Sequence, residues 1–161
     1  MNENETPVSN ETPVSNGTPD VSTLTKVHFS ETKTGTRTQI AFTEEIPALE
    51  EAPEQITATV LDLDYEIARP GIKKAGTIEI PILFTHTQHK KLRALKNKEL
   101  YFFFELPANT AEEEGKPLVR YLQGKCVLTM DTISVGEFLK DKLTIYKSSD
   151  VEESDGFPTV E

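Results

Sequence analysis

Apolar and polar residues alternate with a period of two over residues 77–84, where Ile78, Ile80 and Ile82 share one side and Thr77, Glu79 and Pro81 the other. Alternation of β-branched residues predicts a strand with one buried face. Pro81 has no N–H to give to a ladder, so this strand is expected at a sheet edge or at a bulge. The same period marks residues 55–61, and weaker β-like runs cover 27–29 and 39–42. Residues 101–106 (Tyr-Phe-Phe-Phe-Glu-Leu) form an aromatic strand, and further strands are predicted over 118–131 and 138–147. Gly124, in the middle of the longest of these, predicts a bulge.

Between the isoleucine strand and the aromatic strand the period becomes helical. Thr85-His86-Thr87-Gln88 fits a capping box, with Thr85 as N-cap and Gln88 at the third helical position. The helix it opens, 85–97, turns Leu92 and Leu95 inward and Lys90, Lys91, Lys96 and Lys98 to water. The late lysines suit the negative end of the helix dipole. The whole pattern predicts a mainly β fold, an antiparallel β-sandwich or barrel with one flanking α-helix and disordered acidic termini.

Residues 5–10 (Glu-Thr-Pro-Val-Ser-Asn) recur as residues 11–16, and residues 17–20 begin a third copy. A Pro in every unit and little apolar material cannot offset the entropy of ordering such a segment. The expected organisation is a disordered repeat tail over 1–20, one β domain over 21–148 and an acidic C-terminal tail over 149–161. With 161 residues, 36% of them hydrophobic and none of them Trp, the chain supports one domain with a lean core.

The net charge of −10 belongs mostly to the ends. Residues 1–20 hold four acids and residues 150–161 five, neither with a base, which leaves 18 acids facing 17 bases between them. That middle is sorted. Residues 44–66 carry acids only (Glu44, Glu45, Glu50, Glu51, Glu54, Asp62, Asp64, Glu66), whereas the charges of residues 69–98 are basic except for Glu79. Such runs read either as two solvated faces or as complementary patches through which one copy meets the next.

Candidate chemistry is sparse. Cys126, the single cysteine, alternates with Leu128 and Met130 and reads as a small core hydrophobe. His86 and His89 have a spacing that can chelate a metal, but no third ligand adjoins them and lysines surround them, so two solvent-facing residues at a helix start are expected. Asp62, Asp64 and Glu66 alternate as in a calcium loop, yet Ile67 and Lys73 stand where such a loop needs Gly and Glu. Gly71 and Gly76 do not lead from a strand into a helix, so they make no phosphate loop. No catalytic, metal or cofactor residues are assigned, and the expectation is a protein that is not an enzyme. The basic helix lacks interleaved aromatics, which argues against specific nucleic-acid binding. No signal-like or membrane-length apolar run occurs, which predicts a reducing, aqueous compartment and no membrane partner.

The order of these segments resembles the tail tube (major tail) proteins of long-tailed, siphovirus-type bacteriophages. An acidic strand and loop (56–66) leads to a Gly-rich turn (70–76) and to Gly76-Thr77-Ile78-Glu79-Ile80. A helix with paired leucines (87–98), an aromatic strand ending in Leu106-Pro107, a variable loop and two last strands (118–146) follow. The resemblance covers residues 45–148. It implies a structural subunit that polymerises as stacked hexameric rings into a hollow conduit for DNA, located in the virion tail and assembled in the host cytoplasm. Its implied partners are further copies of itself, a tape-measure protein and tail-tip or terminator proteins, with DNA passing non-specifically.

In such tubes the loop before the G-T-I-E-I strand reaches the neighbouring ring, which here points to Asp62, Asp64, Glu66, Arg69, Lys73 and Lys74. Glu79 and Glu105 are the candidate lumen-facing acids, since a lumen for DNA should not hold phosphate. The competing expectation is a non-catalytic β-sandwich binding module on a virion or cell surface. Such a module would show exposed aromatics on one face, whereas the aromatics here sit within apolar runs.

Overall fold

The computed structural model of the chain describes residues 25–58, 67–107 and 116–159. The repeat tail, the loop at 108–115 and the three acids Asp62, Asp64 and Glu66 lie outside the described residues. In chain order the elements are β1 (Lys26–Ser30), β2 (Thr38–Ile40), β3 (Gln55–Ala58), β4 (Ile67–Pro70), β5 (Thr77–Leu83), α1 (His86–Ala94), β6 (Glu99–Glu105), β7 (Leu118–Met130), β8 (Lys140–Lys147) and β9 (Glu152–Asp155). The fold is mainly β and antiparallel with one helix, the class that the sequence pattern predicts.

Seven strands form one sheet in the order β2-β1-β6-β7-β8-β5, and β9 adds to β7. The 13 residues of β7 are the spine. One of its edges carries β6, from Val119 to Lys125. The other carries β8 opposite residues 124–130 and β9 opposite residues 118–121. The two ends of the sheet meet: just after β2, Thr43 bridges Ile82 of β5, with Glu44 N donating to Pro81 O and Leu83 N to Phe42 O at 3.0 Å each. In an antiparallel pair the N and C=O of one residue point the same way. The bare nitrogen of Pro81 therefore faces this lightly paired edge and costs no bond to β8.

The closed sheet surrounds one core. Ile78, Ile80 and Ile82 of β5, Leu100, Phe102 and Phe104 of β6, Leu122 and Cys126 of β7, and Leu143 and Ile145 of β8 are buried there with Val27, Ile40 and Leu92. Alternation along each strand places them on one side, and each large side chain contributes about 1.5–3 kcal/mol by leaving water. Burial also pushes up the pKa of the Cys126 thiol, so the cysteine stays protonated. Gly124 departs from expectation. It is paired on both sides, with Leu100 and Lys147, and a Cβ there would lie 2.6 Å from Tyr146 O. The irregularity sits opposite its neighbour, where Ser148 and Ser149 N–H both donate to Gln123 O.

The largest departure is at the C-terminus. Residues that composition marks as an acidic tail form β9, and Phe157 then folds over the outer side of the sheet against Phe103. Phe103, Val119 and Tyr121 make a second buried cluster there, with Tyr101 and Phe157 packed on it. Arg37 lies over the rings of both Phe103 and Phe157 and donates to Pro158 O.

Thr85 holds the N-cap position of α1 with extended backbone, but its hydroxyl makes no capping bond. The capping box is not formed because Gln88 is used elsewhere. Its amide clamps Ala41, accepting from the backbone N–H and donating to the backbone C=O at 2.9 Å each. His89 is not solvent-facing either; its Nδ1 lies 2.9 Å from Oδ2 of the buried Asp141 on β8. His86 is exposed. Gln88→Ala is expected to cost about 2 kcal/mol, since two part-buried bonds to the backbone of Ala41 are lost, while Thr85→Ala costs under about 0.5 kcal/mol. Thermal melts of the two variants decide it, and equal losses would restore the capping role to Thr85.

Candidate assembly surfaces

The segment between β2 and β5 is built differently from the rest. β3 and β4 pair only with each other, Gln55 opposite Pro70 and Ile56 opposite Arg69. Residues 55–57 and 68–70 are all exposed, Ile56 to 57%, and Ile72 just beyond is 88% exposed. Alternating β-branched residues explain the strands; nothing among the described residues covers them. A ribbon of two strands alone is marginally stable in water. Its base is fixed by Gly71 N donating to Glu54 O at 2.7 Å, and a Cβ on Gly71 would meet that same oxygen.

Of the predicted contact residues, Arg69 lies on this exposed arm, and Lys73 and Lys74 lie at its base. Both lysines have partners within the chain, Lys73 with Glu50 at 3.9 Å and Lys74 with Glu54 at 2.5 Å. Glu44 pairs with Lys140 at 3.0 Å, which raises the lysine pKa, and Glu50 also reaches Arg120. The sorted charge of the sequence is thus partly matched inside one molecule. Exposed pairs of this kind are worth under about 1 kcal/mol each, so they leave these groups available for exchange.

Glu79 and Glu105 both lie on the outer side of the sheet, but they do not meet. Glu79 sits across β8 from Val127, and Glu105 is opposite Val119. Eight residues of β7 separate those positions, about 26 Å along the strand. Glu79 pairs with Lys142 at 3.4 Å, and Glu105 bonds His28 Nε2 at 2.9 Å.

A further polar cluster was not legible in the sequence. Lys33, Tyr121 and Glu152 join the loop after β1 to β7 and β9, with Lys33 Nζ 3.1 Å from Glu152 and the Tyr121 hydroxyl donating to the same carboxylate. The Tyr121 hydroxyl, and then the Glu152 carboxylate, push the Lys33 pKa up to about 12, while burial raises that of Tyr121. The Tyr121 hydroxyl, and then Lys33, hold the Glu152 carboxyl below its ordinary value. Arg120 Nε lies 3.3 Å from Glu153, in ion-pair range but off the hydrogen-bond line. Phe157 is the one aromatic residue in the acidic run 150–161.

No protein-family model matches the chain, and no curated protein does. Among solved structures, the chain is similar to one in the cryo-EM structure of the anti-feeding prophage (AFP) baseplate, 6-fold symmetrised. The TM-score is 0.64 at 17% identity, over 85% of this chain and 96% of that one. The two chains share a fold nearly end to end.

The Glu152 cluster gives a pH dependence of definite sign. A carboxyl whose folded pKa lies below the ordinary 4.5 stabilises fully above that value, and the contribution is lost as pH falls through the folded pKa. The melting-temperature advantage of the wild type over Glu152→Gln is therefore expected to hold from neutral pH to about 4.5 and to shrink below it. An advantage that grows in acid would show that the cluster does not hold β9.

Proposed function

We propose that this chain is a structural subunit of a phage-like tail tube, polymerising as stacked hexameric rings into a hollow conduit for DNA. It performs no chemistry of its own in this reading. It works in the virion tail after assembly in the host cytoplasm, with further copies of itself, a tape-measure protein and tail-tip or terminator proteins as partners. The observation that carries the reading is the β3–β4 arm, a ribbon exposed at residues 55–57 and 68–70 and attached to an otherwise closed sheet. Such an element is stabilised once a neighbouring molecule covers it. The fold shared with a chain of a six-fold baseplate supports the same reading.

The charged base of the arm fits a contact formed on assembly. Lys73 and Lys74 can exchange exposed partners within the chain for partners on a neighbour at little cost. Reversing both, Lys73→Glu with Lys74→Glu, sets like charges against Glu50 and Glu54 at the surface. This should lower the melting temperature by only a few degrees. Across a desolvated contact between copies the same reversal costs several kcal/mol. Electron microscopy of the concentrated purified protein is expected to show stacked rings for the wild type and few or none for the reversed variant. A wild type that stays monomeric, alone and with tail-tip components, would favour the binding module instead.

A further inference from the structure

The inner side of β7 comes out into water at one end. Leu128 and Met130 continue the side on which Leu122 and Cys126 are buried, yet Met130 is 44% exposed. Helix α1 runs beside this end of the strand and makes the second wall of a groove of about 420 Å³. His89, Arg93 and Lys96, spaced i, i+4 and i+7, line that wall. The bond from His89 to Asp141 fixes the wall against the sheet. The groove thus has an apolar floor and a basic rim, and α1 carries no acid to offset that charge.

The turn between β7 and β8 has the matching character. Residues 131–139 are all exposed, and they hold two acids, Asp131 and Glu137, and no base. Between and beside those acids Ile133, Val135 and Phe138 stand in water, Phe138 to 81%. The turn lies at the end of β5 where Phe84 N donates to Leu139 O, and it has a defined shape. Asp131 N donates to Lys140 O at 2.9 Å, Thr132 N donates to Asp131 Oδ1 at 2.8 Å, and Gly136 takes a left-handed conformation. A turn already held in shape loses little freedom when it binds.

Taking from the tube reading that the partner is a second copy, we infer that the β7–β8 turn of one copy docks in the groove between α1 and β7 of the next. Each molecule leaves its own groove open and its own turn in water, so neither patch is satisfied internally. Charge selects the pairing. Turn against turn would set Asp131 and Glu137 against their own copies, whereas turn against groove brings them to Arg93 and Lys96. The apolar residues of the turn then meet Leu128 and Met130. The two patches differ, so the contact is heterologous, and its repetition closes a ring or extends an assembly.

A charge exchange and a cross-link test this. Arg93→Glu and Glu137→Lys, both at exposed positions, should each leave the melting temperature within a few degrees of the wild type. Each alone is expected to cut the yield of rings in electron micrographs about tenfold, and the two in one chain to recover most of it. Cys126 is wholly buried, so Val135→Cys and Lys96→Cys each supply one reactive thiol. With a short bismaleimide, the mixture of these two variants should give a cross-linked dimer that neither gives alone. Normal rings from Arg93→Glu, no recovery in the combined chain, or Val135→Cys linking only to itself would overturn the contact and leave the tube reading standing. Mixed cross-links without rings would do the reverse. Wild-type binding to phosphatidylglycerol vesicles that Phe138→Glu abolishes would assign the turn to a membrane and overturn the inference. A wild type that gives neither rings nor cross-links would overturn both.

Discussion

The fold depends on one corner. Ile40 ends β2 beside Val27, and three residues later Thr43 is bridged to Ile82 on the far margin of the sheet. Within that short span the chain must leave one strand and join another, and Phe42 at positive φ makes the change of direction. Without it the sheet would be open, with β2 and β5 as two bare edges. Ile78, Ile80 and Ile82 would then lack the shared interior with Val27 and Ile40 that buries them. Gln88 holds the corner by occupying both backbone groups of Ala41.

The helix gains its importance from the same closure. Gln88 ties its first turn to the β2 side of the seam, and His89 ties it to Asp141 on β8, the strand that carries β5. Leu92 fills the core beneath. A nine-residue helix is too short to be stable in isolation; it persists because it is fastened to both sides of the closing sheet. Asp141 raises the stakes, since it is 4% exposed and its Oδ1 has no partner among the described residues. Losing the His89 contact would leave a buried carboxylate uncompensated, which is costly where the surface pairs of Glu44 and Glu79 are not.

What could be read from the sequence follows the hydrophobic pattern. The isoleucine strand, the aromatic strand, the long β7 with buried Cys126, β8 and the helix all announce themselves because their stability comes from a buried face with a regular period. β9 does not, because its sequence Glu-Glu-Ser-Asp has no apolar period. It is held by the backbone ladder to β7 and by Lys33, Tyr121 and Arg120, which are remote in sequence. Gln88 misled for a related reason. Its spacing from Thr85 fits a local cap, and only the tertiary fold brings Ala41 close enough to compete for the amide. In the candidate surface, residues 55–58 were legible as a strand, but their detachment from the main sheet was not, since alternation says nothing about which neighbour a strand finds. In the β7–β8 turn, Ile133 and Val135 carry no period and gave no signal, and Phe138 and Leu139, expected to open the last strand, lie before β8 and are exposed.

Closure also constrains how a domain of this fold can associate. A sheet whose margins meet has little edge to offer another chain, so edge-to-edge growth by strand pairing is largely removed. What remains exposed is polar or lies at the two ends of β5, where the arm and the β7–β8 turn stand. The arm is joined to the body through a base fixed by Gly71 and two surface ion pairs, so it can shift without disturbing the core. In the proposed tube this division suits the task. The closed core carries the stability of each subunit, and the ribbon that is poorly stabilised alone gains its stability from the next ring. Assembly is then favourable only where a complementary end is already presented, which is what growth on a template requires.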